Sequence, residues 1–333
     1  MLKQPALSMQ KLRCALARRY VVYPLLAVSL ASAACLFATS GPNIVPPPGA
    51  VVLDNSAVFE SSGLARSRVR DDLLWTHNDS GDSARLFAFT TQGHMQALLT
   101  VEQAGAVDWE DMCTFSRDGT NYMAIADVGD NRQSRRWVAI YILTEPEVPP
   151  LPDQAGKLPT KLNAKVHCEI RVRYPEGPLN CEAIAYDPWR EEFLLASKES
   201  LRSRIYGIPF QMTQSKQETT ARLLGSVMLP MVTGASISDD GQLLALATYG
   251  PTCILRRSGE PDGIKASSDV RRQATWQLGN DRELELIPGP PRRQGEAICF
   301  DKDGTGLLLT SEGSPMLLFK SDLVPPPEPS ITD

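Results

Sequence analysis

The sequence predicts an all-β fold, a β-propeller of five four-stranded blades, with six blades as the alternative. Three observations predict it. A two-strand plan recurs five times, its starts are separated by 48, 72, 52 and 62 residues, and no useful helix-period segment follows residue 50. Strand-built repeats of roughly 40–50 residues are the mark of propeller blades. Many of the 26 Pro and 23 Gly fall in short turn-like clusters, as a fold with many turns requires.

The chain opens differently from its remainder. Lys3, Lys11, Arg13, Arg18 and Arg19 precede any acidic residue, and an apolar run from Tyr20 to Ala38 follows. This is the layout of a secretory signal. Three fates are open: cleavage near Ala33 or after Ser40, retention of 20–38 as a membrane anchor, or lipidation at Cys35. In each case residues beyond about 40 face the outside of the cytoplasmic membrane, periplasmic or at the cell surface. The division is then a leader over 1–40, a Pro-rich linker over 41–50, a propeller over 51–323 and a Pro-rich tail over 324–333.

Without residues 1–40, which carry five basic residues and no acid, the net charge of −5 becomes −10. So acidic a chain lacks the basic face that phosphate backbones need, which argues against nucleic acid as partner. The chain reads as a monomer whose ligand is a small molecule or a protein. Beyond the leader stand Cys113, Cys168, Cys181, Cys253 and Cys299, with no C-x-x-C pair. An odd, widely spaced set is no disulfide framework or zinc site, although one bridge remains open after export.

The repeats begin at Ser62, Glu110, Glu182, Gly234 and Glu296. Asp187, Asp239 and Asp301 each fall five residues after a start, and Lys198 and Glu312 each fall sixteen after one. Each repeat offers a first strand, a turn and a returning strand, and then outer strands. The second repeat is long because of a Pro-rich loop from Glu145 to Pro159. The fifth lacks a fourth strand, and Val51–Asp54 is a spare one, so the N-terminal strand is expected to pair with Pro315–Lys320 and close the ring.

Hairpin geometry brings the start of each first strand beside the end of its partner. Glu110 is thereby expected near Asp127 and Asp130, Glu182 near Lys198 and Glu199, Glu296 near Glu312, and Ser62 near His77 and Asp79. Innermost strands surround a central channel, so these groups are expected to converge on one face. Glu110, Asp127, Asp130, Glu182, Glu296 and Glu312 form the candidate metal set, and hard oxygen donors of this kind suit calcium. Asn78, Asp79, Arg135, Arg136 and Lys198 are candidate ligand-binding residues, and His77 is the candidate general base. Each Asp has a competing reading as a turn former through its own backbone. Asp301-Lys302-Asp303-Gly304 imitates the start of an EF-hand loop, but no helix context follows, and a hairpin turn is the better reading.

The strongest local signatures are, in this order, Trp75-Thr76-His77-Asn78-Asp79-Ser80-Gly81, Val107-Asp108-Trp109-Glu110-Asp111, and Asp127-Val128-Gly129-Asp130-Asn131 followed by Arg135 and Arg136. Tyr141-Ile142-Leu143-Thr144-Glu145-Pro146, Asn180-Cys181-Glu182-Ala183 and Val232-Thr233-Gly234-Ala235 extend them. Together they resemble poorly characterised exported bacterial β-propeller proteins over roughly residues 58–313. More remotely the chain is similar to phytase-like and regucalcin-like propellers. That resemblance implies calcium sites and, in some members, hydrolysis of esters or lactones. Two functions follow as expectations: a non-catalytic propeller binding a ligand or divalent cation, or a calcium-assisted hydrolase of an ester, lactone or phosphate ester. No G-x-S-x-G, phosphate-cradling Gly-rich loop or H-E-x-x-H supports another catalytic class.

Overall fold

The computed structural model describes residues 47, 49–151, 158–258, 274–278, 284–290 and 294–323. The leader, most of the linker and the Pro-rich tail lie outside the described residues, as do the fates weighed for 20–38 and Cys35.

The described chain is built from strands in five sheets. Strand β1 (Ala50–Val52) is set aside at the start. Blade 1 follows with β2 (Ser61–Arg66), β3 (Leu73–Asn78), β4 (Arg85–Thr90) and β5 (Met95–Glu102). Blade 2 begins with β6 (Trp109–Arg117), β7 (Thr120–Asp127) and β8 (Val138–Thr144). The chain then lays β9 (Thr160–Lys165) parallel to β5 on the outer edge of blade 1 before β10 (Cys168–Arg173) completes blade 2. Blade 3 repeats the device. After β11 (Cys181–Asp187), β12 (Glu192–Ser197) and β13 (Ser203–Pro209), β14 (Lys216–Thr220) runs parallel to β10 on blade 2, and β15 (Arg222–Val227) ends blade 3. Blade 4 contains β16 (Val232–Ile237), β17 (Leu243–Thr248), β18 (Thr252–Arg256) and β19 (Glu285–Ile287). Blade 5 contains β20 (Gly295–Phe300), β21 (Gly306–Ser311) and β22 (Leu317–Asp322).

The count of five blades stands, and the ring closes as the spare strand requires: Ala50, Val51 and Val52 pair antiparallel with Phe319, Leu318 and Leu317. One expectation is corrected. Blades 1 and 2 have five strands, not four, because β9 and β14 cross back to the preceding blade. Their sequences, TKLNAK and KQETT, alternate exposed and half-buried positions, as an edge strand with one wet face does.

The core is shared between blades. Phe115, Ile140 and Ile170 of blade 2 pack with Tyr186, Phe193 and Phe210 from blade 3, and similar clusters fill each of the other four junctions of the ring. A sheet covered on both faces needs apolar residues at successive positions, and β11 and β12 are buried along their whole length. Asp118 and Gly119, with φ of 50° and 75°, make the tight turn between β6 and β7, where an Asp-Gly pair meets the demand for positive φ twice. Innermost strands β2, β6, β11, β16 and β20 neighbour one another around the channel.

Candidate functional site

Every innermost strand is broken by a bulge at one place. The pairing skips Ser62 between Ser61 and Gly63, Glu110 between Trp109 and Asp111, Glu182 between Cys181 and Ala183, and Thr233 between Val232 and Gly234, and it shifts again between Gly295 and Ile298. A bulge adds one residue and re-aims its side chain. The equivalent residues are therefore Ser62, Glu110, Glu182, Thr233 and Glu296. This corrects the fourth repeat, whose register residue is Thr233 and not Gly234. The residue five further on is then Ser238, and Asp239 leaves the series.

A second tier comes from the residues that follow each returning strand: Asp79, Val128, Lys198, Tyr249 and Glu312. A third stands two residues before each bulge and includes Asp108, Asn180 and Gln294. The polar members meet on one face. Lys198 Nζ lies 2.5 Å from Glu182 Oε2, and Asn180 Nδ2 donates to the other Glu182 oxygen at 2.9 Å. Gln294 Nε2 donates to both Glu296 and Glu312, at 2.8 Å each. The Lys198 ammonium stands 4.9 Å from the Tyr249 ring centre. Ser62 and Thr233 instead tie blades together, donating to the carbonyls of Glu110 and Gly295 on the next blade.

Asp79, Asp108 and Glu110 form the tightest acidic group, with one carboxylate oxygen from each lying within 4.8 Å of the others. No ion pair engages any of the three among the described residues. Gly129 runs directly against them, and a Cβ there would strike Glu110 Oε1 and the Asp108 carboxylate. This close approach explains the glycine in Asp127-Val128-Gly129-Asp130.

Burial and mutual repulsion shape the titration. Glu110 is pushed well above its ordinary value by burial, and then by Glu182, Asp79 and Asp108. Burial also raises Glu182, against the pull of Lys198. Glu296 is pushed up to about 8 by burial, with Gln294 and Lys198 opposing and Glu182 and Glu312 adding to it. Burial disfavours the Lys198 charge, but Glu182 outweighs it and holds the ammonium above its ordinary value. Asp108 is raised by burial and by Asp79.

Other candidates have different surroundings. Asp127 accepts from the backbone N–H groups of Val107 and Asp108 at 3.1 Å and pairs with Arg135 at 2.8 Å. Asp130 accepts from the N–H groups of Ser134 and Arg135. Both thus shape the loops behind the triad, which is the turn-forming alternative for an Asp. Asn78 spends its amide on Phe59, Glu60, Ala57 and Asp82. Arg136 is exposed. His77 is fully buried, edge-on to Trp109 at 5.5 Å, with Nδ1 donating to the Asn78 carbonyl and burial lowering its pKa. That placement supplies no solvent-facing base. Asp301 Oδ1 accepts from Thr305 N, a hairpin turn as expected.

Asp108 and Tyr249 are absent from the sequence-based set. Asp108 is legible only as part of Val107-Asp108-Trp109-Glu110-Asp111, and Tyr249 only once the fourth repeat is registered. A third such residue, Asp111, carries no side-chain exposure at all. Its Oδ1 accepts from Met112 N, and its Oδ2 from Ile184 N at 2.9 Å and Ala235 N at 3.1 Å. The Leu64 N–H also contributes. One carboxylate thus gathers backbone donors from β2, β6, β11 and β16, which puts it on the channel axis. Burial pushes it well above its ordinary value, against those four N–H groups.

No family model matches this chain, and no curated protein does. Solved structures similar to it include the hydrazine synthase of Kuenenia stuttgartiensis, at 11% identity over 79% of this chain and 84% of that one, with a TM-score of 0.42. A Dos1 propeller is 12% identical over 78% of this chain and 68% of its own, at a TM-score of 0.35. The PQQ domain of pyranose dehydrogenase from Coprinopsis cinerea is 9% identical over 75% and 79%, at a TM-score of 0.39.

Proposed function

We propose that this propeller is an exported binding protein whose acidic face takes a divalent cation, calcium foremost, between Asp79, Asp108 and Glu110. One observation carries the reading: three carboxylates from two segments, one after β3 and one at the start of β6, converge within 4.8 Å without an ion-pair partner among the described residues. At an effective dielectric near 20, each pair of unit charges about 4 Å apart repels by roughly 4 kcal/mol. A cation or shared protons must offset this. The donors are all oxygen, with no Cys or accessible His among them, which suits calcium better than zinc. The Glu182–Lys198 pair and the Gln294–Glu296–Glu312 set then form the wall where a ligand of the bound cation is held.

The test is thermal unfolding with calcium, magnesium or chelator. Calcium at about 100 times its dissociation constant adds about 2.7 kcal/mol and raises the midpoint. Asp108→Asn and Glu110→Gln are expected to abolish the rise, while Asp130→Asn, outside the triad, keeps it wherever the variant folds. A midpoint indifferent to every divalent cation defeats the proposal. Export is tested separately by a reporter fused after residue 50, active only outside the cytoplasmic membrane.

A further inference from the structure

The opposite mouth of the channel is a different chemical environment. A cavity of about 250 Å³ opens there, lined by the far ends of the innermost strands: Leu64–Arg66, Met112–Ser116, Ala235–Ile237 and Cys299–Phe300. Its charged lining residues are Arg66, Arg68 and Asp239. The two guanidinium groups straddle the single carboxylate, Arg66 taking Oδ2 at 2.5 Å and Arg68 taking Oδ1 at 2.7 Å. Two cations thus share one anion. Arg68 Nε is buried without a hydrogen-bond partner, so Asp239 does not exhaust that guanidinium. Asp239 itself is 47% exposed and sits in a turn, while Arg66 is 12% exposed. The remaining wall mixes apolar side chains with the hydroxyls of Thr114, Ser116, Ser236 and Ser238, and the Phe115 and Tyr186 rings stack within it at 4.4 Å.

We propose that this mouth binds a small organic carboxylate with an apolar body, and that Asp239 is the internal carboxylate it displaces. Arginine pairs suit the fork geometry of a carboxylate, and the apolar side chains of the mixed wall receive the body. The volume lies just below the roughly 300–1,000 Å³ of ordinary ligand pockets and fits a single ring or short chain. Asp111 lies between this cavity and the acidic face, so the site is separate from the cation site and does not depend on it.

The probes are benzoate, its neutral analogue benzamide, and inorganic phosphate, titrated calorimetrically into the whole protein. Saturable benzoate binding is expected, with benzamide at least about tenfold weaker. Arg68→Gln should weaken benzoate about tenfold or more. Asp239→Asn, which removes the competing carboxylate without removing a donor, should tighten it, so the proposal stays testable even where an Arg variant fails to fold. No benzoate binding by either wild type or Asp239→Asn overturns the proposal. So does equal binding of benzamide, or of phosphate, because the recognition would then lack the charge or the apolar half. The calcium response is expected unchanged in Asp239→Asn, and its presence or absence in wild type bears only on the other face.

Discussion

Lys198 Nζ lies 2.5 Å from Oε2 of Glu182, so the residue just after β12 neutralises the one that bulges from its partner β11. Both side chains are largely buried. Removing one partner of such a pair strands the other charge and costs roughly 3–5 kcal/mol. Lys198→Met is expected to lose stability of that order near neutral pH. The loss should shrink as the pH falls, because burial raises the Glu182 carboxyl and lets it take a proton instead. Urea unfolding at neutral and at acidic pH checks this, and an equal loss at both would mean that Lys198 serves only by packing.

Glu110, Glu182 and Glu296 all hold protons more tightly in the folded chain than an ordinary Glu does. For a raised carboxyl, the stabilising contribution is complete below the unfolded value of 4.5 and is lost as pH rises through the folded value, about 8 for Glu296. In the absence of divalent cations, the melting temperature is therefore expected to fall across this window. Glu296→Gln should flatten the fall, and a bound cation should oppose it. A wild-type profile that rises steadily over the same window would contradict the assigned direction.

Gly129 has no room for a side chain beside Glu110 and Asp108. Gly129→Ala is expected to push the triad apart and weaken calcium by about tenfold or more, with the circular dichroism of the sheets retained. Terbium luminescence titration reads the affinity, and an unchanged value would remove Gly129 from the site.

Asp111 accepts from the backbone N–H groups of Met112, Ile184 and Ala235, all buried. Asp111→Ala leaves these three donors, and the Leu64 N–H beside them, without the carboxylate, at about 1–3 kcal/mol each. A loss of at least about 3 kcal/mol is expected in denaturant unfolding, while Asp111→Asn, which keeps one acceptor oxygen, should lose less. A cost under about 1 kcal/mol in Asp111→Ala would mean that other acceptors replace the carboxylate.

The blade count and the closing strand were legible because both depend on local patterns: apolar strands, turn residues, and a last repeat one strand short. The fifth strands were not. TKLNAK and KQETT make parallel pairs across long connections, which leave no local mark beyond weak alternation. The acidic ring was legible as a recurring Glu, but its members were grouped by nearness along the hairpin. The bulge breaks that logic. It turns Glu110 away from Asp127, its hairpin neighbour, towards Asp79 of blade 1 and Asp108. In the fourth repeat the same bulge displaced the alignment by one residue, which hid Tyr249 and placed Asp239 in a series to which it does not belong.

The crossing strands β9 and β14 make the five repeats unequal as modules. Excising blade 2 would carry off the outer strand of blade 1 and leave β14 without a sheet, so blades 1 to 3 can be gained or lost only as a set. Among the described residues, blade 4 neither lends a strand to a neighbour nor borrows one. Growth of this ring by duplication of a single blade is therefore open at blade 4, and a tandem copy of that repeat is the route by which such a chain would reach six.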